Sequence, residues 1–122
     1  MIGFRKANRS DLEHVLDLIE RGFSVQHNSV NYQEGKAHRV LFSYLYSRPS
    51  WRPEYLWLAE EDNRIIAAVG VFPHQLSFDG VCVPVWAISP VVTHPEHRGK
   101  RAAVGCMEQM FCDLKASGIP AV

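Results

Sequence analysis

Asp79-Gly80 lies between two long apolar runs, and no other dipeptide in the chain constrains the fold as strongly. A two-residue turn of this type matches the right-handed twist of paired strands, so it predicts an antiparallel hairpin. The arms are Arg64 to Leu76 and Val81 to Thr93. In the first arm, Ile65, Ile66, Ala67, Ala68 and Val69 are too uniformly apolar for an exposed face. In the second, Pro84 and Pro90 each remove a ladder donor, which predicts a bulge or an open edge. Asp62-Asn63 is a further turn signal, joining a strand over Tyr55 to Glu60 to the hairpin.

Upstream the periodicity is helical. Ile2 to Ala7 can form an opening strand, after which Ser10 and Glu13 have the spacing of a capping box. Leu12, Val15, Leu16, Ile19 and Phe23 then recur on one helical face, and Gly22 is placed to help end that helix. Val25 to Asn31 reads as a loop. Val40, Leu41, Tyr44 and Leu45 predict a second amphipathic helix stopping before Pro49, with Trp51-Arg52-Pro53 as the connector. Downstream, His94 to Lys100 is a basic turn and Arg101 to Ala116 a helix with Ala103, Met107, Met110 and Leu114 on one face. Ser117-Gly118 closes it, and Ile119 to Val122 resembles the start of another strand. The order β-α-α-β-β-β-α-β predicts an α/β (α+β) layer architecture, a mixed, mostly antiparallel sheet flanked by helices.

A length of 122 residues suits one domain over 1–122. Hydrophobic residues at 47% and charged residues at 21% are globular values, and the formal net charge of +0 gives no steering toward nucleic acid or a membrane. Cys82, Cys106 and Cys112 form no CxxC pair and are odd in number, which favours a reducing, cytoplasmic setting over a disulfide framework. Cys106 and Cys112 are expected as small core residues. The start lacks a signal-peptide run, and no stretch approaches the roughly 20 apolar residues of a membrane span.

The chemistry is concentrated where the last long strand passes through the basic turn into a helix. A helix start presents unpaired N–H groups and the positive end of the macrodipole, so it suits an anion, phosphate in particular. Arg98, Lys100 and Arg101 can neutralise phosphate charge, while Gly99, Ala102 and Ala103 permit close backbone approach. Cations are otherwise disfavoured at a helix N-terminus, so three of them together point to an anionic ligand. The GxxxxGK[ST] and GxGxxG patterns are both absent. His94, Glu96 and His97 surround Pro95 in a turn that prevents helical alignment of the histidines, with no further ligand spaced nearby, so no metal is expected.

The run Val91-Val92-Thr93-His94-Pro95-Glu96-His97-Arg98-Gly99-Lys100-Arg101-Ala102-Ala103 resembles the signature of the GNAT acyltransferase superfamily, an Arg or Gln, then xxGx, then Gly or Ala. Arg98 takes the first place and Ala103 the last. The piece Phe78 to Val85, leading to Val91, resembles the N-terminal domain of the enhanced-intracellular-survival type of acetyltransferase. The resemblance implies that Val91, Val92 and Thr93 line the pantetheine arm of acetyl-coenzyme A, and that Arg98 to Ala103 hold its phosphates. It implies direct attack of an amine on the thioester, with a backbone N–H near Val92 polarising the carbonyl. Arg101 stands where the family usually has glycine, and its side chain is expected to swing out toward a phosphate. The family also implies a further strand and helix, so the chain is expected to be a fragment, incomplete at its C-terminus.

Candidates for the general base are His74, a polar residue in mid-strand, and then Glu60 and Glu61. Phe42, Tyr44, Tyr46, Trp51, Tyr55 and Trp57 are expected mostly in the core, some of them bordering an acceptor pocket. The function implied is N-acetyl transfer from acetyl-coenzyme A to an amine of a small molecule or protein. Rival readings are a catalytically inactive coenzyme A-binding or protein-interaction module, and a homo-oligomer built through the unfinished sheet edge.

Overall fold

The computed structural model describes residues 1–26 and 29–118. The chain runs β1 (Gly3–Lys6), a 3-10 turn (Arg9–Asp11), α1 (Leu12–Ser24), β2 (Val25–Gln26), β3 (Ser29–Val30), α2 (Tyr32–Tyr46), a second 3-10 turn (Pro53–Tyr55), β4 (Leu56–Glu61), β5 (Arg64–Phe78), β6 (Val81–Thr93), a third 3-10 turn (Pro95–His97) and α3 (Ala102–Ala116). The strand expected over Ile119 to Val122 lies outside the described residues. The expected loop from Val25 to Asn31 carries a small antiparallel ladder, Val25 opposite Val30.

The main sheet has the order β1-β4-β5-β6, every neighbouring pair antiparallel. Asp62 and Asn63 both take positive φ, as do Asp79 and Gly80, the backbone that two-residue hairpins require. Two register shifts interrupt the ladder. On β5, Ile66 is an extra residue between Ala59↔Ala67 and Glu60↔Ile65. On β6, Val69↔Val91 is followed by Val71↔Ile88, so Ser89 and Pro90 lie opposite Gly70 in a bulge. Both outcomes foreseen for the prolines occur among the described residues, since Pro90 sits in a bulge and β6 is the last strand of the sheet.

Alternation divides the sheet into two apolar faces. Leu56, Leu58, Ala68 and Val92 meet Val15, Leu16 and Ile19 of α1 and Phe42 and Tyr46 of α2. Trp57, Ala59, Ala67 and Val69 meet Ala102, Cys106, Met110 and Leu114 of α3. Each fully buried aliphatic side chain contributes about 1.5–3 kcal/mol relative to exposure. Beyond Phe72, β5 and β6 continue as an exposed two-stranded ribbon, with Leu76 opposite Val83 and Phe78 opposite Val81.

Several helical details differ from expectation. The reciprocal cap is Asn8 with Asp11, not Ser10 with Glu13: Asn8 Oδ1 accepts from the Ser10 N–H at 3.0 Å and Asp11 Oδ2 from the Asn8 N–H at 2.8 Å. Arg5 holds Asp11 in place through both carboxylate oxygens, at 2.8 and 2.9 Å, so the cap opens the 3-10 turn ahead of α1. Gly22 does not end α1. It is buried within the helix, where an added Cβ would stand 2.2 Å from Val92 Cγ2.

The inward face of α2 is Gly35, Phe42 and Tyr46, while Val40, Leu41 and Tyr44 are exposed. A Cβ at Gly35 would come within 1.9 Å of Ser24 Oγ, and this close approach to α1 sets the rotation of α2. On α3 the buried row is Ala102, Cys106, Met110 and Leu114, with Ala103 and Met107 on its flank. Cys112, expected in the core, is exposed; Cys106 is buried, and burial pushes its thiol up to about 12.

Candidate functional site

The site is built where β6 ends and α3 begins. His94 N–H donates to Ile66 O at 2.8 Å, and ladder alternation therefore turns the backbone groups of Val92 toward β5 and those of Val91 and Thr93 toward the open edge. Val92 is buried against Gly22, Thr93 is half-buried and Val91 is 44% exposed. One face of β6 thus anchors the strand, while its outer edge offers donors and acceptors with no ladder partner among the described residues. The bulge at Ser89 and Pro90 lies immediately before this stretch.

After the 3-10 turn at Pro95–His97 the chain passes through Gly99 at φ +88 and Arg101 at φ 58 into α3. The position that the resemblance usually gives to glycine is thus the left-handed residue, here carrying a side chain. The first intrahelical bond runs from Gly105 N–H to Arg101 O at 3.0 Å. The N–H groups of Ala102, Ala103 and Val104 precede it; the Arg101 side chain does not cap them, and the first turn holds no acidic residue. Helices normally fill these places with Ser, Thr, Asp or Asn. An anion can fill them instead.

The three cations are not equivalent. Arg98 Nη2 donates to Gly22 O at 2.9 Å, so this guanidinium closes the last turn of α1, where a positive charge also suits the helix dipole. Lys100 Nζ meets Glu61 Oε1 at 2.8 Å, and this hydrogen bond holds the half-buried Glu61 carboxyl below the usual range. The Arg101 side chain is exposed and makes no ion pair or hydrogen bond among the described residues.

His94 is buried beneath this turn. Its Nδ1 accepts from the Glu96 N–H at 3.1 Å, so Nε2 carries the proton and faces Arg21 Nη1 at 3.4 Å as a second donor. Burial, then the neighbouring His97 and Arg21, keep the imidazole below its ordinary pKa, hence neutral. His94 and His97 meet edge to face at 5.2 Å, and among the described residues no three His, Cys, Asp or Glu side chains gather as a metal site.

The base candidates differ in partners and surroundings. Glu60 is on β4, four residues beyond Leu56, which is level with the bulge. Its carboxylate is engaged by Arg5, and it lines a cleft of about 630 Å³ beside α1 together with Asp11, Asp17, Arg21 and His94. Glu61 is taken by Lys100. His74 is exposed on β5 and lines a different cavity, of about 350 Å³, between α2 and the β5–β6 hairpin. Phe42, Trp51 and Phe72 wall that cavity, and Ser89 brings the bulge into it. Trp51 and Phe42 were foreseen as possible borders; Arg48, Ser50 and Ser89, which also line it, were not, because nothing local marks them.

No curated protein matches the chain by sequence. Among solved structures, a GNAT family acetyltransferase from Brucella melitensis in complex with acetyl-CoA superposes with a TM-score of 0.72 at 18% identity, over 98% of this chain and 71% of that one. A GCN5-related N-acetyltransferase from Anabaena variabilis gives 0.73 at 16% identity, over 99% of this chain and 28% of that one. N-myristoyltransferase of Saccharomyces cerevisiae with bound myristoyl-CoA gives 0.74 at 19%, over 98% and 29%. The chain therefore spans less than a third of the length of the last two. At these identities the likeness shows the fold. Residues 3–122 match the family described as acetyltransferase (GNAT) domain, and the chain belongs to that family.

Proposed function

We propose that this chain transfers an acetyl group from acetyl-coenzyme A to an amine of a small molecule or protein. The observation that carries the reading is the uncapped start of α3, placed directly after a strand whose outward backbone groups have no ladder partner among the described residues. Ala102, Ala103 and Val104 would donate to the pyrophosphate, and Arg101 would add charge from the rim; Gly99 keeps the approach open, with no atom within 4 Å of an added Cβ. Lys100 would serve after exchanging Glu61 for phosphate, and Arg98 by holding the turn against α1. Val91 and Thr93 would bond the pantetheine arm along the β6 edge, with Val92 fixing the strand from behind. The bound thioester supplies the activated acyl carbon. The outward N–H groups beside Val92 are donors already in place to stabilise charge on its carbonyl oxygen.

Attack by the amine requires a neutral nitrogen. His74 is our candidate to accept its proton, because it shares the cavity with Ser89 of the bulge, whereas Glu60 is committed to Arg5. The family fold accommodates acetyl and myristoyl donors among its solved relatives, so our choice of acetyl rests on the family description and the Brucella complex. The likeness of Phe78 to Val85 to the enhanced-intracellular-survival type belongs to the same proposal. The rival, an inactive coenzyme A-binding module, draws support from the partnered state of Glu60 and Glu61.

Thermal melts with acetyl-coenzyme A test the site. Saturation at a hundredfold over Kd adds about 2.7 kcal/mol to stability, and Arg101→Glu should shrink the gain. No shift at millimolar ligand would remove the cosubstrate reading. Thiol release that depends on an added amine then separates transferase from binding module, and His74→Ala should lower that rate at least tenfold.

A further inference from the structure

We infer that the cavity between α2 and the β5–β6 hairpin takes an amine with an apolar or aromatic body and an acid group, and not a polycation. This rests on the acyl-transfer reading above. Apolar residues, Leu41, Phe42, Leu45, Trp51 and Phe72 among them, make most of its wall, so the body of the acceptor is desolvated against hydrocarbon and aromatic rings. Trp51 and Phe72 are held by stacking on Tyr46, with ring centroids 4.3 and 6.2 Å away, so the wall is preformed.

Charge decides the rest. Arg48 is the one permanently charged side chain lining this cavity, and neither Asp nor Glu lines it among the described residues. Arg48 also has no ion-pair partner among the described residues. The larger cleft beside α1 is unlike it: Asp11, Asp17 and Glu60 there face Arg5, Arg21 and Arg64, a mixed and largely self-neutralised lining. A polyamine entering the α2 cavity would meet a like charge and no counter-charge. A carboxylate or phosphate would meet a guanidinium able to bind it through two parallel hydrogen bonds. The exposed ribbon continues the same sheet face outward through Leu76 and Val83, extending the apolar track beyond His74.

The acid and amine of the acceptor can be adjacent or at opposite ends of its body, so the test uses both spacings. Calorimetry on the protein saturated with coenzyme A would compare phenylalanine and 4-(aminomethyl)benzoate with phenethylamine and benzylamine, which lack the acid, and with spermidine. At least one acid-bearing amine should bind tenfold or more above its acid-free counterpart. Arg48→Ala should abolish that advantage while leaving the acid-free amines unchanged, and Arg48→Lys should restore part of it. Spermidine binding as well as the acids, or an acid preference that survives Arg48→Ala, would overturn the inference. Coenzyme A binding, read separately by thermal shift, stays intact in either case, so failure here is distinguishable from failure of the acyl-transfer reading.

Discussion

Arg101 concentrates the tension in the site at a single residue. Its φ of 58 places an L side chain in the left-handed region, which costs roughly 1–2 kcal/mol relative to the right-handed well. Glycine escapes that cost but gives back part of the gain through the greater freedom of its unfolded chain. Arg101→Gly should therefore raise stability by about 0.5–1 kcal/mol in denaturant titration. The same change removes the one cation of the turn with no partner among the described residues, so coenzyme A affinity should fall several-fold in parallel. The two readouts moving in opposite directions is the outcome to look for. Tighter coenzyme A binding in Arg101→Gly would mean that the side chain obstructs the site. The motif was legible because turn, cations and small residues are contiguous. That Arg98 would turn to Gly22 O and Lys100 to Glu61 was not, because those partners are 76 and 39 residues away in sequence.

At the scale of elements, strands were more legible than helix faces. Asp62-Asn63 and Asp79-Gly80 mark both hairpins directly, and Pro90 marks the bulge. Helix rotation depends on what the helix meets. For α2 that is α1 at Gly35, a contact with no local signature, and so the exposed Val40, Leu41 and Tyr44 mimic a core face. Gly22 follows the same rule: by local sequence a helix terminator, it is the point inside α1 where the helix presses on β6. Gly22→Ala is accordingly a test of element docking: the added methyl would overlap Val92 Cγ2 at 2.2 Å, with the Thr93 carbonyl at 3.4 Å. Overpacking of this kind costs about 1–3 kcal/mol, against roughly 1 kcal/mol gained from better helix propensity. A net loss of stability is expected, together with weaker coenzyme A binding because Val91 and Thr93 flank the displaced residue. Val92→Ala in the same chain should restore much of both. If Gly22→Ala were neutral, α1 would not be setting the position of β6.

Across the whole molecule, one sheet carries two cores, and the ion pairs that tie its rim make stability depend on pH. Arg5 on β1 joins Asp11, ahead of α1, to Glu60 on β4, so the network spans three segments. The Arg5 hydrogen bond holds the Asp11 carboxyl below its usual range. A carboxyl with a depressed folded pKa stabilises the fold above its unfolded value, near 3.9, and loses that contribution as pH falls through the folded value. The indole N–H of Trp57 acts on Asp113 in the same sense, bonding it at 2.8 Å across to the α3 layer. His94 adds an earlier step. Burial lowers its pKa, so unfolding takes up a proton once the pH drops below about 6.5. Its contribution too is present above that value and lost on acidification. Stability should thus be flat above neutrality, decline gently from about pH 6.5 and fall more steeply below about pH 4. Denaturant titrations at closely spaced pH values would check the shape. Asp11→Asn should cost about 1–2 kcal/mol at pH 7, the lower part of the range for charged hydrogen bonds because Arg5 is 38% exposed. The same variant should flatten the limb below pH 4 and leave the His94 step in place. An Asp11→Asn profile as steep below pH 4 as that of the unsubstituted chain would show that this rim network does not couple the two layers to acid.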